Sequence, residues 1–282
     1  VTGSLAIAAI TPHGDLAIAD ACDDATRGLA TATQDAMDTV ARRIASSGAD
    51  GVVVVTPHGV HVSRHMAVVT GSAAVGTLDD APVPLTISCA LDTPLARAIA
   101  GEMAIGGIPV VEVSYGGNNP AEAVMPLDWG AGVPLWHVLR HAPSLPAVLV
   151  APARDLGADQ HVAAGAAIAS AAAAAGRTIA FIASADQGHG HRADGRYGFR
   201  AESAPFDERI TDIVRNGRLD ELEEITADEV HAALADSWWQ MLMLLGALRQ
   251  NGVPYHSELL AYEAPTYYGM LTALLTPHPR AA

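Results

Sequence analysis

The tetrapeptide Thr-Pro-His-Gly occurs twice, at Thr11-Pro12-His13-Gly14 and at Thr56-Pro57-His58-Gly59, each time directly after an apolar run, Leu5–Ile10 and Val52–Val55. A histidine at the end of a buried strand, flanked by proline and glycine, is held in a stiff loop that a ligand can reach. Two such residues suggest a metal centre or a paired acid–base site, because imidazole both ligates metals and titrates near neutral pH. The same tetrapeptide would also serve simply to turn the chain at a strand end. A third element, Ser184-Ala-Asp-Gln-Gly-His-Gly-His191, follows the apolar run Thr178–Ala183. Gly188 and Gly190 flank His189, which reads as an exposed general acid–base on a flexible turn. The loop continues to Tyr197-Gly-Phe199 and Pro205-Phe206-Asp207, expected to pack as a lid. Among the other histidines, His61, His65, His141, His161, His231 and His278 sit in polar or terminal contexts that predict solvation, while His137 and His256 fit either environment.

These residues need a scaffold that gathers distant strand ends. Short apolar, β-branched runs at 4–10, 51–56, 84–90, 108–113, 146–151 and 178–184 read as strands covered on both faces. Helical patterns lie between them at 33–47, 93–105, 133–141 and 159–175, most of them closed by glycine. The last third predicts helices at 206–216 and 236–250, a capping box at Thr226-Ala-Asp-Glu229, and two edge strands at 257–262 and 268–275. The pattern is that of an α/β fold: a single domain, with a central mostly parallel or mixed sheet and helices on both faces. In such sheets ligands collect beyond the carboxyl ends of the strands, where His13, His58 and the 184–191 loop all fall.

Composition narrows the partners. The chain has 282 residues, half of them hydrophobic, and a formal charge of −15 that no Lys/Arg cluster interrupts, which argues against nucleic acid or an anionic membrane. The Ala-rich stretch 162–176 is too short and too weakly apolar to span a bilayer. Two cysteines, Cys22 and Cys89, predict buried thiols in a reducing, cytoplasmic setting and give no thiolate zinc site. The start, Val1-Thr-Gly-Ser4, lacks a basic leader pattern. Residues 116–119 read as a turn, and neither a phosphate loop, a dinucleotide fingerprint nor a Gly-x-Ser-x-Gly elbow is present.

A strand ending in Pro-His, a second ending in Pro-His-Gly, and a Ser-x-Asp-x-x-His segment leading to Phe-Asp together resemble the class III extradiol ring-cleavage dioxygenases. These are the relatives of the protocatechuate 4,5-dioxygenase catalytic subunit and of DOPA 4,5-dioxygenase. Leu127-Asp-Trp-Gly-Ala-Gly-Val-Pro-Leu135 is similar to that family's Asp-His-Gly-x-x-Val-Pro-Leu element, and Ala235–Leu248 to its Glu-bearing helix ending in Gly-Ala. The resemblance implies that His13, His58 and Asp236 ligate a metal as two imidazoles and one carboxylate, a set suited to non-haem Fe(II), with zinc or manganese as other occupants. It implies His189 as the catalytic acid–base, with Asp128, Trp129 and His191 as substrate-binding residues; Tyr267 and Tyr268 either line the pocket, Tyr268 as a further substrate contact, or pack at a sheet edge. The reaction implied is cleavage of a catecholic or aminophenolic ring by O2, in a homo-oligomer or with a small partner subunit. Two departures stand out: Asp236 replaces the family's glutamate, with Glu229 and Glu258 as other acids in reach of the sequence argument, and Trp129 replaces a histidine. Asp236 also suits a helix N-cap. The same donors would serve a zinc-dependent hydrolase or lyase, and the scaffold is shared by non-catalytic Memo-type relatives.

Overall fold

Every residue of Val52–Val55 is buried, and its side chains alternate between two cores: Val53 and Val55 face one, Val52 and Val54 the other. That double burial is why the run reads as continuously apolar. The computed structural model describes residues 5–116, 118–119 and 122–278. Residues 1–4 and Gly117 of the expected turn therefore lie outside the described residues.

In chain order the elements are β1 (Leu5–Thr11), α1 (Thr31–Ala45), β2 (Gly51–Val55), β3 (Met66–Val69), β4 (Ala73–Thr77), β5 (Thr86–Ala90), α2 (Thr93–Ile105), β6 (Val110–Val113) and β7 (Val124–Pro126). Then follow α3 (Trp129–His141), β8 (Ala147–Ala151), α4 (Ala158–Ala174), β9 (Ile179–Ser184), α5 (Ser203–Arg215), α6 (Ala227–Ala232), α7 (Trp238–Asn251), β10 (Tyr255–Glu263) and β11 (Met270–Pro277). Eight strands form a mixed sheet in the order β10-β11-β1-β9-β2-β8-β3-β6. Its centre is parallel, β1 with β9, β9 with β2, and β2 with β8, while β11 and β3 run against their neighbours β1 and β8. One core packs α2, α4, α5 and α7 on one face, and a second packs α1 and α3 on the other. The α/β expectation, a mixed sheet between two helical layers, is met.

Three points differ from the sequence reading. The strand expected at 84–90 does not join the main sheet; it pairs with β4 in a separate three-stranded sheet, β5-β4-β7. Its burial alternates strictly, so one face of that sheet is open to solvent, and β4, with its glycine, and the three-residue β7, with its proline, are too short to announce themselves. The run 268–275 is not an edge: β11 is paired on both sides, and β10 alone forms the margin. The helix expected from 133 starts at Trp129, because Asp128 caps it by accepting from the Ala131 N–H. Pro134 hides that start from a propensity reading.

Glycine sets how closely α4 and α7 approach. A Cβ on Gly165 would lie 1.7 Å from the Met243 carbonyl, and one on Gly246 would lie 1.8 Å from that of Val162. The two backbones touch, and Ala-rich α4 leaves nothing between them. His161 belongs to this face, in step with Ala164, Gly165 and Ile168, and is buried with Nδ1 donating to Gly157 O. Its expected solvation is thus overturned by helical periodicity. His137 is buried too, donating to Ala17 O, and its pKa is pushed down to about 4 by burial. Cys22 and Cys89 are free and buried, and among the described residues no helix is long and apolar enough to cross a membrane.

Candidate metal centre and active site

Strands β1, β9 and β2 are adjacent and parallel, so their carboxyl ends deliver His13, the 184–191 loop and His58 to one place. Asp236 arrives from the opposite direction, two residues before α7. His13 Nε2 and His58 Nε2 are 3.1 Å apart, and Asp236 Oδ2 lies 3.5 Å and 3.2 Å from them. The three ligand atoms lie within 4.8 Å of one another. His13 and Asp236 are buried and His58 is half-buried. The N-cap of α7 is Ser237, so Asp236 is not the cap of that helix. Glu229 is spent on the Thr226 capping box and on Arg209, and Glu258 lies on the surface near Arg43.

The neighbours fix each ligand. Pro134 has no N–H to offer the Gly130 carbonyl one turn back, and the Ser184 hydroxyl donates to that carbonyl instead. With its one proton so committed, Ser184 Oγ accepts from His13 Nδ1, 2.9 Å away. His13 therefore carries its proton on Nδ1 when neutral and presents a lone pair on Nε2, the arrangement that outer hydrogen bonds impose on metal-binding imidazoles. Gln240 donates to Ser184 O at 2.8 Å and to Asp236 O, tying the start of α7 to the end of β9. Asp128 accepts from Thr56 Oγ1 at 3.1 Å, and the same hydroxyl accepts from the His58 N–H.

Electrostatics fit a cation. Burial alone would lower the His13 pKa, but Asp186 and Asp236 outweigh it and hold it at about 9. Burial opposes ionisation of Asp236, yet His13 and His58 together hold it below the usual carboxylate range. Asp186, whose Oδ1 accepts the His13 N–H and whose Oδ2 lies 3.4 Å from His13 Nε2, is shifted upward, chiefly by burial. Asp236 Oδ1 is buried without a hydrogen-bond partner. Two imidazole nitrogens facing each other across 3.1 Å repel unless a proton or a metal sits between them and the carboxylate. The donor set could hold a divalent metal, and it resembles the two-histidine, one-carboxylate face of non-haem Fe(II) sites.

His13 and His58 border a cavity of about 530 Å³ lined also by Trp129, His189, Tyr197 and Tyr268, among others, while Asp236 lines a smaller neighbouring cavity. Trp129 stands 4.5 Å from the His58 ring, at the mouth. His189 stacks on Tyr268 at 5.8 Å and meets the Tyr197 and Tyr267 rings edge-on or tilted. Tyr268 is 6% exposed, its hydroxyl has no partner, and burial together with Asp186 and Asp15 pushes its pKa well above the ordinary phenol value. A side chain at Gly14 would occupy that hydroxyl's place, 2.0 Å away, which explains the glycine after His13.

The expected flexible turn around His189 is pinned throughout. Gln187 N donates to Gly269 O, Gly188 N to Asp207 Oδ1, His189 N to Ala233 O, Gly190 N to Ser203 Oγ and His191 N to Tyr267 O. Asp207 is fully buried, and also receives His191 Nε2 at 2.8 Å and the Tyr262 hydroxyl at 2.7 Å. His191 and Asp128 therefore brace the site and line neither of its cavities. The expected lid divides: Tyr197 and Phe199 are exposed, whereas Phe206 and Asp207 belong to α5. Sequence reasoning missed Ser184, Gln240 and the 77–81 loop that contributes Leu78, Asp79 and Asp80 to the cavity wall. Asp186 was legible only as the acid of Ser-x-Asp-x-x-His.

Residues 7–271 match the family described as catalytic LigB subunit of aromatic ring-opening dioxygenase. The chain belongs to that family. It is also similar to Protein CA_C1420 of Clostridium acetobutylicum, 25% identical over 233 residues, covering 82% of this chain and 49% of that protein. The chain thus spans about half the length of the curated relative it matches. The crystal structure of an uncharacterized protein, JW3007, from Escherichia coli K12 shares the fold with a TM-score of 0.62 at 17% identity, over 95% of this chain and 98% of that one.

Proposed function

We propose that this member of the LigB family is an Fe(II)-dependent extradiol dioxygenase that opens a catecholic or aminophenolic ring with O2. The observation that carries the reading is the convergence of His13 Nε2, His58 Nε2 and Asp236 Oδ2 at the edge of an aromatic-lined cavity that His189 also faces. Iron, held by these three residues, would supply Lewis-acidic and redox chemistry toward a substrate hydroxyl and O2. The remaining work falls to the chain. Trp129 and Tyr268 form apolar walls for a flat ring, and the buried Tyr268 hydroxyl, neutral at any physiological pH, is free to hydrogen-bond a ring oxygen. His189, held by its backbone on the pinned loop, is placed to take a proton from a substrate hydroxyl and return it as the ring opens. Residues 1–282 form one catalytic domain in this reading, working in the cytoplasm as a homo-oligomer or beside a small partner subunit.

The test is direct. Protein loaded anaerobically with Fe(II) and mixed with a panel of catechols and aminophenols should consume oxygen and release yellow ring-fission products, and His189→Gln should lower turnover by about 10²–10⁴-fold. No oxygen uptake with any vicinal diol or aminophenol, together with oxygen-independent hydrolysis by the zinc-loaded protein, would establish a hydrolase instead.

A further inference from the structure

A second cavity, of about 260 Å³, reaches Asp236 and shares His58, His189 and Tyr197 with the first. Its remaining lining is Arg154, His231, Leu234, Ala235, Asp236 and Trp239. The two cavities differ in charge. The larger is bordered by Asp15, Asp79, Asp80 and Asp186 against Arg196, while the smaller has Arg154 and His231 at its exposed mouth and only Asp236, already held by two histidines, below.

Arg154 is built into this wall. Its guanidinium lies 5.0 Å over the Trp239 ring and gives one N–H to Pro57 O at 3.2 Å, which leaves most of its donors free. Among the described residues it is in no ion pair. Beneath it Trp239 is 1% exposed, and its indole N–H is buried without an acceptor. A buried donor of this kind is uncommon in folded proteins and marks a place where an acceptor belongs. The wall is also shaped at some cost: Leu234 is held at φ 54°, the left-handed residue that ends α6, with Leu234 N donating to His231 O and Ala235 N to Val230 O. That turn brings His231 and Leu234 to the cavity and delivers Asp236 two residues on.

We propose that this second cavity is an oxyanion subsite that takes a carboxylate, with Arg154 as its charged clamp and the Trp239 N–H as its buried donor. A planar guanidinium matches a carboxylate in a two-point contact. The volume falls below that of pockets for whole drug-sized ligands, so it suits a substituent or a small acid. An anionic group is turned away from the larger cavity by its four acids and accepted here. The proposal stands apart from the ring-cleavage reading, because it concerns binding alone. Its carboxylate comes either from a ring substituent of the substrate or from a separate small acid.

Calorimetry on the zinc-loaded protein, which does no oxygen chemistry, tests it with benzoate, catechol and a catechol bearing a ring carboxylate as probes. The carboxylated catechol should bind at least tenfold more tightly than catechol, and Arg154→Ala should erase that difference while Arg97→Ala, in an exposed ion pair with Glu112 between α2 and β6, keeps it. Trp239→Phe, which keeps the ring and removes the N–H, should narrow it. Benzoate binding that Arg154→Ala abolishes assigns the site to separate acids; preference confined to the carboxylated catechol assigns it to the substrate. Absence of both benzoate binding and any carboxylate preference, or a preference that survives Arg154→Ala, overturns the proposal. Oxygen uptake by the iron-loaded protein is measured separately, so its failure would count against ring cleavage and leave this result untouched.

Discussion

Ser184 determines which nitrogen of His13 is available. Its hydroxyl is committed to Gly130 O, whose usual helical donor Pro134 cannot supply, and the His13 ring is oriented by what remains. Ser184→Ala removes a buried hydroxyl of little volume, so the fold should persist while the ring loses its orientation. The expected outcome is a fall in metal affinity of roughly 10–100-fold, the range typical of losing an outer hydrogen bond to a ligating histidine. Competition with a chromogenic chelator measures it, and an unchanged affinity would show that packing alone orients His13. At this scale the sequence was informative about the ligands and silent about their supports. His13 and His58 were marked by their shared frame, and His189 by its glycines. Ser184 was not, because a serine at a strand end has no signature until the proline and carbonyl that face it from α3 are known. Asp236 carried two readings, and only the positions of His13 and His58 separate them.

At the scale of elements, the contact between α4 and α7 decides where Asp236 sits. Backbone touches backbone at Gly165 and Gly246, so Gly246→Ala must push a carbonyl aside. Overpacking of this kind costs typically about 1–3 kcal/mol, and the shift of α7 should also weaken metal binding through Asp236 and Gln240. By contrast, Gly101 lies on an exposed part of α2 with open space around it, and Gly101→Ala should stabilise by up to about 1 kcal/mol. Urea unfolding of both variants checks the pair; equal stabilities would mean that the two helices have room to part. The parallel centre of the sheet was legible because strands buried on both faces read as unbroken apolar runs. The small sheet was not: β4 and β7 are brief and interrupted by Gly76 and Pro126, and β5, though apolar enough to be seen, has a partner that sequence periodicity cannot name. Pairing partners are long-range facts, as is the burial of His137 on a face of α3 that also carries Arg140, whereas His161 shares an apolar face of α4 that periodicity marks.

For the molecule as a whole, the site is a place where fold, proton and metal compete. In the metal-free protein the His13 pKa of about 9 exceeds its unfolded value of 6.5, because two buried carboxylates outweigh the cost of burial. The folded state then binds a proton that the unfolded state releases above pH 6.5, so this contribution is fully present below that pH and is lost as pH rises through about 9. The loss is on the order of 3 kcal/mol at most. A bound divalent metal replaces the proton on the same nitrogen, so its affinity should rise over the same interval, and a ligand that binds only the folded state stabilises it in proportion to the logarithm of its saturation. Thermal unfolding of chelated and zinc-loaded protein at pH 6.5, 7.5 and 9 should therefore show a gap that widens with pH: the chelated form melts at progressively lower temperature while the loaded form changes little. His13→Gln removes both proton and ligand, and should flatten the chelated profile and close the gap. A gap independent of pH would mean that the proton on His13 is not what the metal displaces, and that another base holds the site together when the metal is removed.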